Sequence, residues 1–198
     1  MAKPPTTQYL AGQRLNRRRL LEGVVAGSIG LKVTSAIAKT DDPRKLPPQL
    51  HDELAFPSWE NEGRTILISD LPFGGPPILA YPRDPSSGVA REKSRLNQIL
   101  LLRFDETELS EETKLNAVDG VVAYSGVCTH TGCSVTEWDV DRRNLLCPCH
   151  ASQFDPRMRA IVVGGPASRA LPVLPLVLKD NVLNVAGSFS GKVGFKKK

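Results

Sequence analysis

From Gly63 onward the chain alternates short apolar runs with clusters of turn residues. Thr65–Ser69, Pro77–Tyr81 and Asn97–Phe104 are rich in Ile and Leu and have the length and boundaries of strands. Gly74-Gly75-Pro76-Pro77 and the segment Pro82 to Gly88, with its two prolines and two serines, punctuate them. Ser110-Glu111-Glu112 predicts a single helical turn with Ser110 as its N-cap. Gly120–Ser125, Asn144–Cys147 and Ala160–Val163 predict three further strands. Leu176–Lys179 and Asn181–Ala186 pair as a hairpin through Asp180. Residues 39–63 are polar and carry Pro43, Pro47, Pro48 and Pro57, which predicts an extended linker or surface arm without regular structure. The chain shows no internal repeat and no glycine-rich phosphate loop opening a helix. The pattern is that of an all-β, antiparallel protein.

Composition agrees. The 198 residues are 40% hydrophobic and include 16 Gly and 16 Pro, enough apolar material for a core and too many breakers for long helices. The formal net charge of +5 is not spread over the chain. Residues 1–38 hold six Lys/Arg and one acidic group, while the remaining 160 residues hold 20 of each sign. The basic character therefore belongs to the N-terminal segment and gives no argument for nucleic-acid binding. Lys196-Lys197-Lys198 reads as a solvated tail.

That N-terminal segment has the form of an export signal. Asn16-Arg17-Arg18-Arg19-Leu20-Leu21 resembles a twin-arginine motif, a weakly apolar stretch follows, and Ala36-Ile37-Ala38 has the small-x-small form of a cleavage site. The alternative is a retained membrane anchor. A spanning helix needs about 20 apolar residues. Here Glu22 and Lys32 leave nine uncharged residues between them, three of them Gly, which favours cleavage. The expectation is a periplasmic protein of bacterial type, exported by the twin-arginine route, with inner-membrane anchoring as the alternative. That route moves folded proteins, which suits a cofactor inserted before export.

The chemistry is concentrated in two boxes, Cys128-Thr129-His130-Thr131-Gly132-Cys133 and Cys147-Pro148-Cys149-His150. They contain all four cysteines and two of the three histidines. A Cys and a His two residues apart can turn inward from one tight loop, and the second box supplies another pair. Two thiolates and two neutral imidazoles are the ligand set of a [2Fe–2S] centre in which His replaces Cys on one iron. A structural zinc site is an alternative, although zinc loops more often use Cys-x2-Cys knuckles. Two plain disulfides are another, and they would leave both histidines unexplained. The remaining histidine, His51, has no Cys or His near it in sequence and reads as a surface residue.

The boxes closely resemble those of the disulfide-containing Rieske proteins, which include the iron–sulfur subunit of cytochrome bc complexes and the small subunit of arsenite oxidase. The resemblance is strong from about Val118 to the C-terminus. It implies an antiparallel Rieske-type β barrel or sandwich over 64–198, with a small cluster-binding subdomain whose loops lie within 126–170. It implies one [2Fe–2S] cluster, with Cys128 and Cys147 on one iron, His130 and His150 on the other, and a disulfide between Cys133 and Cys149. With two thiolates the oxidised cluster sums to zero charge, so its potential is high, about −150 to +300 mV for such centres.

The resemblance also assigns residues around the cluster. Ser152 matches the position whose hydroxyl bonds a bridging sulfide; the plain alternative is a surface serine. Phe154 stands where cytochrome bc proteins place a Tyr whose hydroxyl bonds a ligand thiolate, so that donor is missing; otherwise Phe154 is a core aromatic. Ala151 stands where those proteins have Gly. Gly164-Gly165-Pro166-Ala167 resembles the proline loop that covers the cluster, with Gly165 and Pro166 against it. Thr131 follows the first ligand His where cytochrome bc subunits carry a Leu that enters the quinol pocket, and a polar tip is a poorer plug. With the Val122–Ser125 run and Phe154, this is closer to the arsenite oxidase small subunit.

The function so implied is an electron-transfer subunit without a catalytic site of its own. It would pass electrons from a large periplasmic catalytic subunit, arsenite-oxidase-like with molybdopterin as a candidate cofactor, to a c-type cytochrome or similar acceptor. The alternative is the Rieske subunit of a cytochrome bc complex. A Rieske oxygenase would need a second iron held by two His and a carboxylate, and only His51 remains for it.

Overall fold

The computed structural model describes residues 41–195. Its strands in chain order are β1 (Glu53–Ala55), β2 (Ile78–Arg83), β3 (Ile99–Arg103), β4 (Val121–Ser125), β5 (Glu137–Asp139), β6 (Asn144–Cys147), β7 (Ser152–Asp155), β8 (Ile161–Gly164), β9 (Leu176–Lys179) and β10 (Val182–Val185). Six form a base sheet in the order β4-β3-β2-β1-β10-β9, and the other four form a smaller sheet in the order β5-β6-β7-β8. The strand pairs are antiparallel throughout. The fold is all-β, with the small sheet inserted between β4 and β9 of the base. Among the described residues no helix is long and apolar enough to cross a membrane.

Strands β3 and β4 show why their runs are almost wholly apolar. Side chains alternate between the two faces of a strand. Ile99, Leu101, Val121 and Ala123 face the core of the base, with Leu54, Ile66, Leu174 and Leu183. Leu100, Leu102, Val122 and Tyr124 face a second core, with Leu145, Phe154, Ala160 and Leu171 from the small-sheet region. A sheet buried on both faces has no polar side to alternate with. The buried Tyr124 hydroxyl donates to Pro156 O at 2.5 Å and ties β4 to the loop after β7.

The helical turn expected at Ser110 is present as α1 (Glu111–Lys114), with the Ser110 hydroxyl accepting from Thr113 N at 3.2 Å. The β9–β10 hairpin turns through two residues, Asp180 and Asn181, both with positive φ (51° and 61°). Asp and Asn tolerate that backbone, which is why they suit a two-residue hairpin turn.

Two expectations are corrected. Residues 39–63 are not a surface arm throughout: β1 pairs with both β2 and β10, and Leu54, Ala55 and Phe56 are buried in the base core. The base therefore begins before residue 64. The preceding stretch is also tied down, by Asp52, which accepts from the Arg91 guanidinium at 2.6 and 2.9 Å with both residues buried. Thr65–Ser69 is not a continuous strand; it makes single bridges at Thr65 and Leu67 and then a 3-10 turn, Ile68–Asp70. The export segment proposed for residues 1–38 and the Lys196–Lys198 tail lie outside the described residues.

Candidate metal centre

Three loops meet at the end of the small sheet. The first box follows β4 and is closed by its own backbone. Cys128 N donates to Cys133 O at 2.8 Å, and Gly132 N to Cys128 O at 3.0 Å. The second box is the turn between β6 and β7, whose register places Cys147 opposite Ser152. The third loop runs from β8 through Gly165 and Pro166 to Ala167. A bulge between β7 and β8, opposite Gln153/Phe154, bends β8 as it leads into that loop.

Cys133 and Cys149 form a disulfide that staples the first box to the second. Cys128 and Cys147 remain as free thiols, both buried. The sulfurs of Cys133, Cys147 and Cys149 lie within 4.8 Å of one another, but two of them are already bonded together, so only Cys147 of the three is a thiol donor. Burial pushes the Cys147 thiol pKa up. The backbone amides of Cys149 and His150 act in the opposite direction, and a hydrogen-bond contact with the Cys128 thiol raises it again. A buried thiolate needs a cation to offset its charge, so two buried thiols outside the disulfide suit metal ligation.

The two histidines complete the set. Their ring centroids are 4.8 Å apart with the planes perpendicular. His150 is exposed, while His130 is half-buried. His130 Nδ1 is fully buried with no hydrogen-bond partner. A buried ring nitrogen left unpaired costs about 1–3 kcal/mol, and a metal ion would satisfy it. The donors present, two thiols and two imidazoles with one ring nitrogen waiting, fit a cluster ligated by two sulfurs and two nitrogens.

The neighbours are ordered around this set. Ser152 is fully buried, so the surface-serine alternative fails; its Oγ accepts from Ala167 N at 3.2 Å, which leaves its own proton free to donate. Phe154 is fully buried in the core shared with β4, opposite Leu145 and Val162. Gly165 has φ 76°, and a Cβ there would lie 2.4 Å from Ala151 O and 2.5 Å from Ser152 Cα. Only glycine lets the third loop approach the second box so closely. Pro166 is exposed next to it, and so are Thr131, Pro148, Cys149 and Ala151. Ala151 holds φ 54°, a left-handed conformation that disfavours a side chain.

Other contacts here have no mark in the sequence. The Thr129 hydroxyl donates to Arg169 O at 2.6 Å, and the Ser134 hydroxyl donates to Gln98 Oε1 at 2.8 Å. Both join residues more than thirty positions apart, and no local pattern announces them.

The Rieske [2Fe-2S] domain model matches residues 86–175. A Streptomyces lividans protein named cytochrome bc1 complex Rieske iron-sulfur subunit is 36% identical over 132 residues, covering 65% of this chain and 75% of that one. This chain belongs to the Rieske [2Fe–2S] family. It therefore carries one [2Fe–2S] cluster, and the zinc and double-disulfide alternatives fall. A Haloferax mediterranei protein named as a respiratory nitrate reductase subunit Rieske is 41% identical over 122 residues, 61% of this chain and 52% of that one. A Streptomyces coelicolor bc1 complex Rieske subunit is 27% identical over 197 residues, 91% of this chain and 53% of that one. The Rieske chain described here thus spans about half the length of these last two relatives.

Proposed function

We propose that this Rieske protein is a one-electron relay subunit of a respiratory oxidoreductase. Cys128 and Cys147 hold one iron of the cluster, and His130 and His150 hold the other. The observation that carries this assignment is the buried, unpartnered Nδ1 of His130 beside the second imidazole and the two buried thiols. When bound, the cluster supplies a site that accepts and releases one electron. The protein holds that site by short loops and keeps water from much of it with the Gly165–Pro166 loop. His150 stays open to a partner. Ser152, whose hydroxyl proton is free, would donate to a sulfide of the cluster, and Phe154 adds bulk without a donor.

The test of the ligand set is reconstitution of each alanine variant. Cys128→Ala, His130→Ala, Cys147→Ala and His150→Ala should each lose the EPR signal of the dithionite-reduced cluster. Wild-type iron content and EPR in His130→Ala would remove His130 from the set.

The partner we favour is a large catalytic redox subunit of the arsenite oxidase or nitrate reductase kind, molybdopterin-containing, with a c-type cytochrome or similar acceptor. Supporting it are the exposed, polar Thr131 at the tip of the first box and the relative named for a nitrate reductase. The second reading, the Rieske subunit of a cytochrome bc complex, is favoured by the several relatives named for that complex. Purification of the native complex through a tag on this chain decides between them. Molybdenum in the complex supports the first, and b-type haem absorbance without molybdenum supports the second. Export to the periplasm belongs to the same proposal; the disulfide supports it, because such bonds persist in oxidising compartments.

A further inference from the structure

The loop carrying Cys128, His130 and Cys133 is gripped from outside by the last described residues of the chain. The segment starts from an anchor on the base: Ser190 N donates to Val173 O at 2.8 Å, and the Ser190 hydroxyl accepts from Val173 N at 2.9 Å. It then reaches the first box. Gly194 is buried, and a Cβ on it would lie 3.4 Å from Val127 Cγ1, one residue before Cys128. The ring of Phe195 lies over Gly132, with its Cδ1 3.2 Å from where a Gly132 Cβ would be. Two arginines clamp the same region. Arg95 donates to Gly132 O, and Arg169 donates to Gly194 O. Arg169 in turn accepts, through its carbonyl, from the Thr129 hydroxyl inside the box at 2.6 Å.

We propose that Ser190–Phe195 is a strap that positions the first cluster-binding loop, with Phe195 as its positioning residue and Arg95 as the second point of hold. The inference rests on the reading that this loop binds the cluster, but its physical core is independent of it. Gly132 has φ 86° and no side chain, so beyond its backbone bond to Cys128 O the loop has no packing of its own there. The second box and the disulfide restrain only its far end, at Cys133. The strap supplies a further brace by apolar cover over Gly132, while Arg95 holds the Gly132 carbonyl and Arg169 holds the strap itself through Gly194 O. Phe195 is 41% exposed, so about half of its ring surface contributes to the hold.

The experiment uses the full chain under native conditions and reads hydrogen exchange of the peptide carrying Cys128 to Cys133, by mass spectrometry. Two amides of that peptide are bonded inside the box, Cys128 N to Cys133 O and Gly132 N to Cys128 O, so their exchange requires the box to open. Phe195→Ala should speed it about fivefold, the rate equivalent of about 1 kcal/mol. Phe195→Leu, which restores apolar cover, should return it to near the wild-type rate. Ile78→Ala serves as control, because Ile78 lies on β2 and packs on the base core; it should lower the melting midpoint without speeding exchange in the box. Wild-type exchange in Phe195→Ala overturns the proposal, and so does equal acceleration by Ile78→Ala, which would mean that opening is global. Loss of cluster absorbance, recorded on the same variants, should quicken in parallel. If exchange quickens in Phe195→Ala while cluster loss does not, the strap stands and the loop's role as a cluster ligand fails.

Discussion

Ser152→Ala removes one oxygen from the fully buried start of β7, just after the second box, and two separable effects should follow. The first is on stability. Ser152 Oγ is the acceptor for Ala167 N, and both residues are buried. Without it the amide has no partner, at a cost of about 1–3 kcal/mol. Relaxation of the third loop toward water would keep the loss at the low end, so about 1 kcal/mol should appear as a lower urea midpoint with unchanged m-value. The second effect is on the potential. An oxygen that accepts from Ala167 has its own proton to spend on a cluster sulfur, and such a bond stabilises the reduced, more negative cluster more than the oxidised one. A hydrogen bond to a charged group contributes about 1.5–3 kcal/mol, and only its difference between redox states counts. With 59 mV per tenfold change for one electron, the midpoint should fall by tens of millivolts, up to roughly 100 mV. Voltammetry at fixed pH measures the second effect and urea titration the first. If the stability falls while the potential holds and the EPR signal is intact, the Ser152 proton points away from the cluster and its assigned role is wrong.

Three other substitutions probe the same loops. Phe154→Tyr should raise the midpoint potential if the ring points at a ligand sulfur; if it points elsewhere, the new hydroxyl is buried without a partner, and melting shows a loss of about 1–3 kcal/mol with no shift in potential. Cys133→Ser with Cys149→Ser removes a cross-link between residues 16 apart and should cost about 3 kcal/mol on the loop-entropy estimate, read by denaturant unfolding of the oxidised protein against the double variant. Ala151→Gly relieves a left-handed alanine and should stabilise by about 0.5–1 kcal/mol, so a melting midpoint at or below wild type would show that the turn is not strained.

The site was legible in the sequence to the extent that its chemistry is local. Two short boxes hold all four cysteines and two of the three histidines, which exposed the candidate donors, whereas the division into two free cysteines and a Cys133–Cys149 disulfide came from the family resemblance. Strand β6 was visible for the same reason: Asn144–Cys147 is a short apolar run that ends on a donor. What stayed hidden depends on partners far along the chain. Strand β1 is three residues long among prolines and acidic groups, and it is a strand because β2 and β10 lie on either side of it. Strand β7, Ser152–Asp155, alternates buried and half-buried positions, but two of its four residues are polar and one is acidic, which conceals the pattern. The burial of Ser152 and the Arg91–Asp52 pair are set by packing between distant segments. Resemblance to a known family supplied the role of Ser152, yet it gave no hint of Phe195 over Gly132.

The placement of the cluster sheet follows from the two-faced strands of the base. Its own strands are three or four residues long and could not bury a core by themselves. Their apolar side is completed by Leu100, Leu102, Val122 and Tyr124, which belong to the base and whose sequence neighbours serve the other core. The first box therefore follows a strand packed on both faces, the second joins strands whose apolar side that sheet completes, and such elements hold a site more precisely than loops alone. The proposed relay needs its donors fixed where they bind and accessible where a partner arrives. This protein meets the first need with the shared core, the disulfide and the glycine contact at Gly165. It meets the second by leaving His150, Pro148 and Thr131 exposed on loops whose inner residues, Cys128 and Cys147, are buried.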